Sequence, residues 1–258
     1  MGFFDRLFGF SKTTDDEPQY SVAPEVKEEP AKTANPMVID MSKHAENLNK
    51  VLIDMSKDSK IDMSKHIARV ALAMDYSGSM STLFNNGSVQ ETITRLLPIA
   101  LKFDDNGELE SWLFSDSYDR LDAVTINNYK KYVRNVMFES RMSMGGTNYA
   151  PVLRNIVQYY KDIEPSEIPA YIIFITDGEN WDERETDKII RELSKYNMFV
   201  QFVGIGNESF SYLRKLDNLS GRQSDNTGFT AVKDMNRMSD TELYNELLRQ
   251  YVAWLNKK

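Results

Sequence analysis

Three short stretches of the chain combine oxygen-bearing side chains with turn-forming glycine. In Met74-Asp75-Tyr76-Ser77-Gly78-Ser79-Met80, hydroxyls follow a carboxylate at the second and fourth positions. An Asp closing a buried strand and followed by such a turn can aim one carboxylate and two hydroxyl oxygens at a common point. Phe174-Ile175-Thr176-Asp177-Gly178-Glu179 brings a second carboxylate, with Gly178 free to turn sharply. Between them, Met144-Gly145-Gly146-Thr147-Asn148-Tyr149 supplies a glycine-flanked hydroxyl just ahead of a helical stretch. Two carboxylates and three hydroxyls make a hard, all-oxygen set that suits Mg²⁺ at about 2.0–2.2 Å, with Mn²⁺ or Ca²⁺ as alternatives. Because Mg²⁺ takes about six ligands, such a set leaves a position for water or for an oxygen from another molecule. An Asp or Glu carboxylate on a partner protein would make the metal a bridge.

These residues need a scaffold that carries them to one edge. From residue 66 onward, apolar runs alternate with amphipathic segments. The near-continuous run Ala68–Met74 reads as a buried strand, and Ile93, Leu96, Leu97 and Ala100 give helical spacing over Val89–Phe103. Further strands are expected at Leu109–Phe114, Tyr171–Thr176, Phe199–Ile205 and Phe229–Val232. Further helices are expected at Ile126–Phe138, Ala150–Tyr160, Glu183–Tyr196, Phe210–Leu216 and Asp240–Leu255. This alternation predicts an α/β, doubly wound fold with a mostly parallel central sheet flanked by helices. Ligands of such sheets bind beyond the carboxyl ends of the strands, where all three stretches lie.

Ahead of this domain, residues 1–37 divide into an aromatic segment with Phe3, Phe4, Leu7, Phe8 and Phe10, and an acidic, Pro-containing linker from residue 11. The linker lacks apolar periodicity and is expected to be a disordered arm. The aromatic segment would suit a membrane surface or a partner's groove, or be an idle terminus. Ile-Asp-Met-Ser-Lys then occurs three times, at 39–43, 53–57 and 61–65. Its alternation of apolar and polar residues predicts repeat strands over 38–65, covering the main domain. The principal domain is expected over 66–258.

Composition removes whole classes of chemistry. The 258-residue chain has no cysteine and two histidines, which excludes thiolate zinc sites, iron–sulfur clusters, thiol nucleophiles and His-rich centres. A net charge of −8, from 39 acidic against 31 basic residues, argues against nucleic acid as a partner. The apolar run from Ile168 to Thr176 is far shorter than the roughly 20 residues that span a bilayer. Charges interrupt the N-terminal segment where a signal peptide needs an apolar core, so a cytoplasmic location is expected, with peripheral contact to the inner face of the membrane through the aromatic segment as the extension.

Taken together, Asp75-Tyr76-Ser77-Gly78-Ser79, Gly146-Thr147 and Thr176-Asp177-Gly178 resemble the three loops of the metal-ion-dependent adhesion site of von Willebrand factor type A (VWA) domains. The ordered triple spans residues 66 to about 256. The resemblance implies that Asp75, Ser77 and Ser79 come from the first loop, Thr147 from the second and Asp177 from the third, the last often acting through water. None of the five departs from the pattern. A narrower likeness, carried by Gly87-Ser88-Val89-Gln90, the stretch Leu97–Gly107, Gly145–Val152, Phe202–Gly206 and Asp225-Asn226, is to stand-alone bacterial VWA proteins associated with tellurium-resistance (Ter) stress operons. The implied role is Mg²⁺-dependent binding of a protein partner within a stress or resistance complex, with tellurium resistance, phage defence and membrane stress all open as the setting.

Competing readings belong beside this one. Asp75, Ser77 and Ser79 could merely cap a helix. Glu179, Asp182 and Glu183 read as a solvated acidic helix start rather than as ligands. Tyr76 and Asn148 could touch a partner at the rim or simply pack the loop. An Mg²⁺-dependent phosphoryl-transfer or hydrolytic enzyme is the alternative function. Against it, Ser77 stands where a second acid would be needed, there is no phosphate-binding loop, and Ser77 lacks the Gly-x-Ser-x-Gly frame. His44 and His66 fall outside the predicted loops, so no imidazole base is in place. A scaffold whose metal is only structural is the third reading, worth about 2.7 kcal/mol of stability at roughly one hundred times Kd.

Overall fold

The structure is a computed structural model describing residues 36–178 and 180–258. The aromatic segment and the linker up to residue 35 lie outside the described residues. Six strands form one sheet: β1 (Arg69–Asp75), β2 (Leu109–Phe114), β3 (Tyr118–Val124), β4 (Ala170–Thr176), β5 (Met198–Ile205) and β6 (Thr227–Val232). Their order is β3-β2-β1-β4-β5-β6. All neighbours pair in parallel except β2 and β3, which form an antiparallel pair at one edge.

Period-two alternation divides each central strand between two apolar layers. On β1, Val70, Leu72 and Met74 enter one core and Ala71 and Ala73 the other; on β4, Tyr171, Ile173 and Ile175 oppose Ala170, Ile172 and Phe174. The first layer is closed by α1 (Pro36–Lys57), α2 (Ser81–Asn85), α3 (Ser88–Phe103) and α7 (Asp240–Leu255); the second by α4 (Ala150–Gln158), α5 (Glu183–Leu193) and α6 (Ser211–Asp217). The expected doubly wound sheet is therefore present, and β1 and β4 lie side by side at its centre.

Three expectations are corrected. The segment read as repeat strands is helical over its first two copies, since α1 runs to Lys57. Met41, Leu48, Val51 and Leu52 are buried at helical spacing, while Ile53 is exposed, so the wider 3.6-residue pattern outweighs five-residue alternation. In the third copy Met63 is buried, its amide donating to Ser56 Oγ at 2.8 Å, and Asp62 turns the chain by accepting from Ser64 N at 3.1 Å. Second, the helix expected over 126–138 is reduced to one 3₁₀ turn (Tyr129–Lys131) and one wide π turn (Val133–Met137). Asn128 accepts from Thr125 N at 2.8 Å and donates to Ala123 O at 2.9 Å, so its side chain competes for backbone groups a helix would use. Third, β3 is an additional strand; its faces alternate between exposed and half-buried, and Leu121 and Val124 supply little apolar signal.

Helix α1 is tied down by a buried charge cluster. Arg95 of α3 lies 3.0 Å from Asp240 at the start of α7, and His44 Nδ1 of α1 lies 2.7 Å from the same carboxylate. His66 precedes β1 and its Nε2 lies 2.8 Å from Tyr251 Oη.

Candidate metal centre

The carboxyl end of β1 delivers Asp75 into the sheet's edge with no exposed surface. One of its oxygens accepts from Ser77 N at 2.7 Å, the other from Thr176 Oγ1 at 2.6 Å, which ties β1 to the end of β4. Burial pushes the Asp75 carboxyl up to about 6, against the opposing pull of these two hydrogen bonds. Beyond it, Ser77 Oγ lies 3.1 Å from Ser79 Oγ, and the Ser79 hydroxyl donates to Asp177 Oδ1 at 2.8 Å. Burial also raises the Asp177 carboxyl, an effect the Ser79 hydroxyl opposes.

The second loop is pinned to the first by backbone. Ser77 bridges Gly145 in parallel fashion, and Gly78 N donates to Gly145 O at 3.1 Å. Thr147 stands two residues beyond this bridge, is buried, and its carbonyl accepts from Trp181 N of the third loop at 3.0 Å. Its hydroxyl makes no hydrogen bond among the described residues. The two glycines leave room for Asp116, whose carboxylate accepts from Gly146 N at 3.0 Å and would lie 2.1 Å from a Cβ at position 145. Between the second and third loops, the Tyr149 hydroxyl donates to Gly178 O at 2.6 Å, and its oxygen lies 3.2 Å from Thr176 Oγ1.

The expected ligand residues are thus gathered at one edge, four of them through Asp75, Ser77, Ser79 and Asp177 contacts, and Thr147 through the paired loops. Among the described residues no group of three or more Asp, Glu or His side chains is arranged to hold a metal, so a cation here would depend on hydroxyls as much as on carboxylates. The donor set is compatible with Mg²⁺ in its chemistry: hydroxyl and carboxylate oxygens are hard ligands, and the Thr147 hydroxyl has no hydrogen-bond partner among the described residues.

Of the two rim candidates, Tyr76 is packed inward, whereas Asn148 is half-buried at the surface. Tyr76 is buried, with its ring edge-on to Phe84 at 5.0 Å, and Asn148 donates to Asp116 O at 3.2 Å. Asp182 is half-buried and engaged by backbone amides. It stands at the N-cap of α5, yet its carboxylate accepts from Tyr149 N at 3.0 Å and Ala150 N at 2.8 Å, capping α4 as well. Thr176, Asp116 and Trp181 escaped the sequence reading, although each carried a signal: a hydroxyl ending an apolar run, an acid just after β2, and an indole inside a polar loop.

Comparison with known proteins gives a consistent picture. Residues 67–258 match the vWA-TerF-like family model, described as the vWA found in the TerF C terminus. The uncharacterized protein YcbR of Bacillus subtilis (strain 168) is 39% identical over 213 residues, covering 80% of this chain and 87% of its own. Among solved structures, the SpRpn10 VWA domain aligns with a TM-score of 0.54 at 12% identity, over 70% of this chain and 95% of that one. Proximal thread matrix protein 1 from the mussel byssus aligns with a TM-score of 0.52 at 15% identity, over 73% of this chain and 46% of that one. At such identities the two structures speak for the fold alone.

Proposed function

We infer, from the vWA-TerF-like family to which this chain belongs and from the geometry at its sheet edge, that it is a metal-dependent protein-binding module. Asp75, Ser77, Ser79, Thr147 and Asp177 hold Mg²⁺, directly or through water. When bound, the ion supplies a Lewis-acidic position to which an Asp or Glu carboxylate of a partner protein can attach. The observation that carries the reading is the unbroken series of oxygens from Ser77 through Ser79 to Asp177, backed by the buried Asp75.

The chain's residues divide the work. Thr176 and the Ser77 amide orient Asp75, Gly78 N ties Gly145 to the first loop while Asp116 holds Gly146 against the turn after β2, and Tyr149 fixes the third loop against the second. Binding rather than catalysis is the proposed activity. His66 sits before the amino end of β1, on the opposite edge of the sheet, and His44 packs on α7, so neither imidazole is placed to move a proton at the site. The setting that fits the family is a stress or resistance complex of the Ter type, on the cytoplasmic side, with the N-terminal aromatic segment touching the inner face of the membrane. Among the described residues no helix is long and apolar enough to cross a membrane.

The test is calorimetric titration of Mg²⁺ into wild type, Asp75→Asn and Thr147→Ala, paired with capture of partners from native lysate in Mg²⁺ and in EDTA. Heat of binding and capture that vanish together in Asp75→Asn, while circular dichroism is unchanged, support the reading. Capture indifferent to chelator and to both substitutions refutes it.

A further inference from the structure

Trp181 is 84% exposed, whereas the chain's other two tryptophans, Trp112 and Trp254, are buried. An indole on the surface forgoes a large burial of apolar area, and this one is not there through slack in the chain. Its backbone amide donates to Thr147 O at 3.0 Å. The residue before it, Asn180, is buried and donates to Asp182 at 2.6 Å and to Thr186 at 3.2 Å. The residue after it, Asp182, is fixed by the amides of Tyr149 and Ala150. The ring therefore projects from a segment held on both sides. It also lies against the candidate metal centre, because a Cβ at Gly146 would be 3.5 Å from Trp181 Nε1.

We propose that Trp181 is the second anchor of this site, and that it selects partners whose metal-bound carboxylate is flanked in sequence by a bulky apolar side chain. The proposal rests on the metal-dependent binding described above and adds the chemistry of what lies beside the carboxylate. The indole face is apolar, so covering it favours an apolar flank, while Asp116 and Asp182 keep their charge although hydrogen-bonded and make a basic flank the competing outcome that the test separates. Elsewhere in the fold, Arg and Lys side chains lie over Tyr, Phe and Trp rings, but none lies over Trp181 among the described residues. The surface left open beside the centre is the indole face, since the Asp116 carboxylate covers the Gly145-Gly146 backbone. A partner segment laid across it buries that face fully, in the manner of a hot-spot tryptophan.

The experiment uses the full chain and three fluorescein-labelled dodecapeptides sharing one central Asp, flanked on both sides by Leu, by Ser or by Lys. Binding is read by anisotropy in Mg²⁺ for wild type, Trp181→Ala, Trp181→Phe and Asp75→Asn, with Trp181 emission as a second readout. The expected result is a Leu-flanked peptide bound about 30-fold more tightly than the Ser-flanked one by wild type. Trp181→Ala removes that preference, Trp181→Phe keeps most of it, and the wild-type emission shifts to the blue on binding. Equal binding of the Leu and Ser peptides, a Trp181-dependent preference for Lys, or no binding of any peptide at millimolar concentration overturns the proposal. A preference that survives Trp181→Ala but disappears in Asp75→Asn sinks the second anchor and leaves the metal reading standing. Binding indifferent to Asp75→Asn sinks the metal reading instead.

Discussion

Asp75 is buried, doubly hydrogen-bonded and yet expensive to ionise, a combination that sets function against stability at one residue. Without metal its charge is met by hydrogen bonds alone, burial makes that charge costly and raises the carboxyl to about 6, and Asp75→Asn removes that cost. The Tyr149 proton goes to Gly178 O at 2.6 Å, which leaves the Tyr149 oxygen, 3.2 Å from Thr176 Oγ1, free to accept, so the Thr176 hydroxyl can turn toward it and accept from an amide in place of donating to the carboxylate. Metal-free Asp75→Asn is therefore expected to melt at or above the wild-type temperature while losing the Mg²⁺-induced rise in Tm, as differential scanning fluorimetry with and without MgCl₂ would record. A variant that unfolds well below wild type without metal would mean that Asp75 serves the fold first. The five ligand candidates were legible because each is a chemical type at a fixed spacing. Asp116 and Thr176 were less so, since their work is to hold other residues, and nothing in their own spacing says which neighbours they meet.

Elements were legible in proportion to how continuously apolar they are. The buried strands β1, β4 and β5 could be read to within a residue or two, because both faces are covered and alternation disappears. β3 and the turns between Thr125 and Phe138 could not, because half-exposed strands and Asn-directed turns leave no periodic trace. α1 was misread because a five-residue motif obscured the longer helical pattern around it. Two predictions belong to this scale. Gly204 of β5 faces the Phe210 ring, which would lie 2.7 Å from an added Cβ and cannot move aside as a flexible side chain could. Gly204→Ala is expected to cost about 1–3 kcal/mol by overpacking, read from urea midpoints. At the other face, Asp240 anchors α1 and α3 to α7. Asp240→Ala strands the Arg95 guanidinium, which is nearly inaccessible to solvent, and is expected to cost about 3 kcal/mol, whereas Asp240→Asn retains an acceptor and costs less.

For the whole molecule, pH acts through groups far from the metal centre as well as through Asp75 and Asp177 within it. Burial lowers the His66 imidazole to about 4 and raises the Asp104 carboxyl to about 6. The depressed histidine contributes stability present above its ordinary value near 6.5 and lost as pH falls toward 4. The elevated Asp104 contributes stability present below about 3.8 and lost as pH rises through 6. The two slopes oppose each other in the mildly acidic range. His66→Gln removes only the first, so its stability relative to wild type should grow as the buffer is taken from pH 6.5 to 4.5, and a constant difference between the two proteins across that interval would refute the assignment.

The antiparallel turn of β3 has a consequence for how the site opens. By reversing direction, β3 leaves the chain at the amino end of the sheet, and the polypeptide must climb back from Thr125 to Gly145 through short irregular turns before it can present Thr147. The first and third loops leave directly from ladder-bonded strands, whereas the second is held only by the Ser77–Gly145 bridge and a few cross-loop bonds. Tyr129, Tyr132, Val133 and Met137 anchor the first part of this segment in the core, but residues 138–146 are exposed or half-buried, so the opening free energy of that last stretch lies toward the low end of the molecule. Amide protons of Gly146 and Asn148 should accordingly exchange with deuterium well before those of β4, making the second loop the one whose protection reports directly on whether the site is closed.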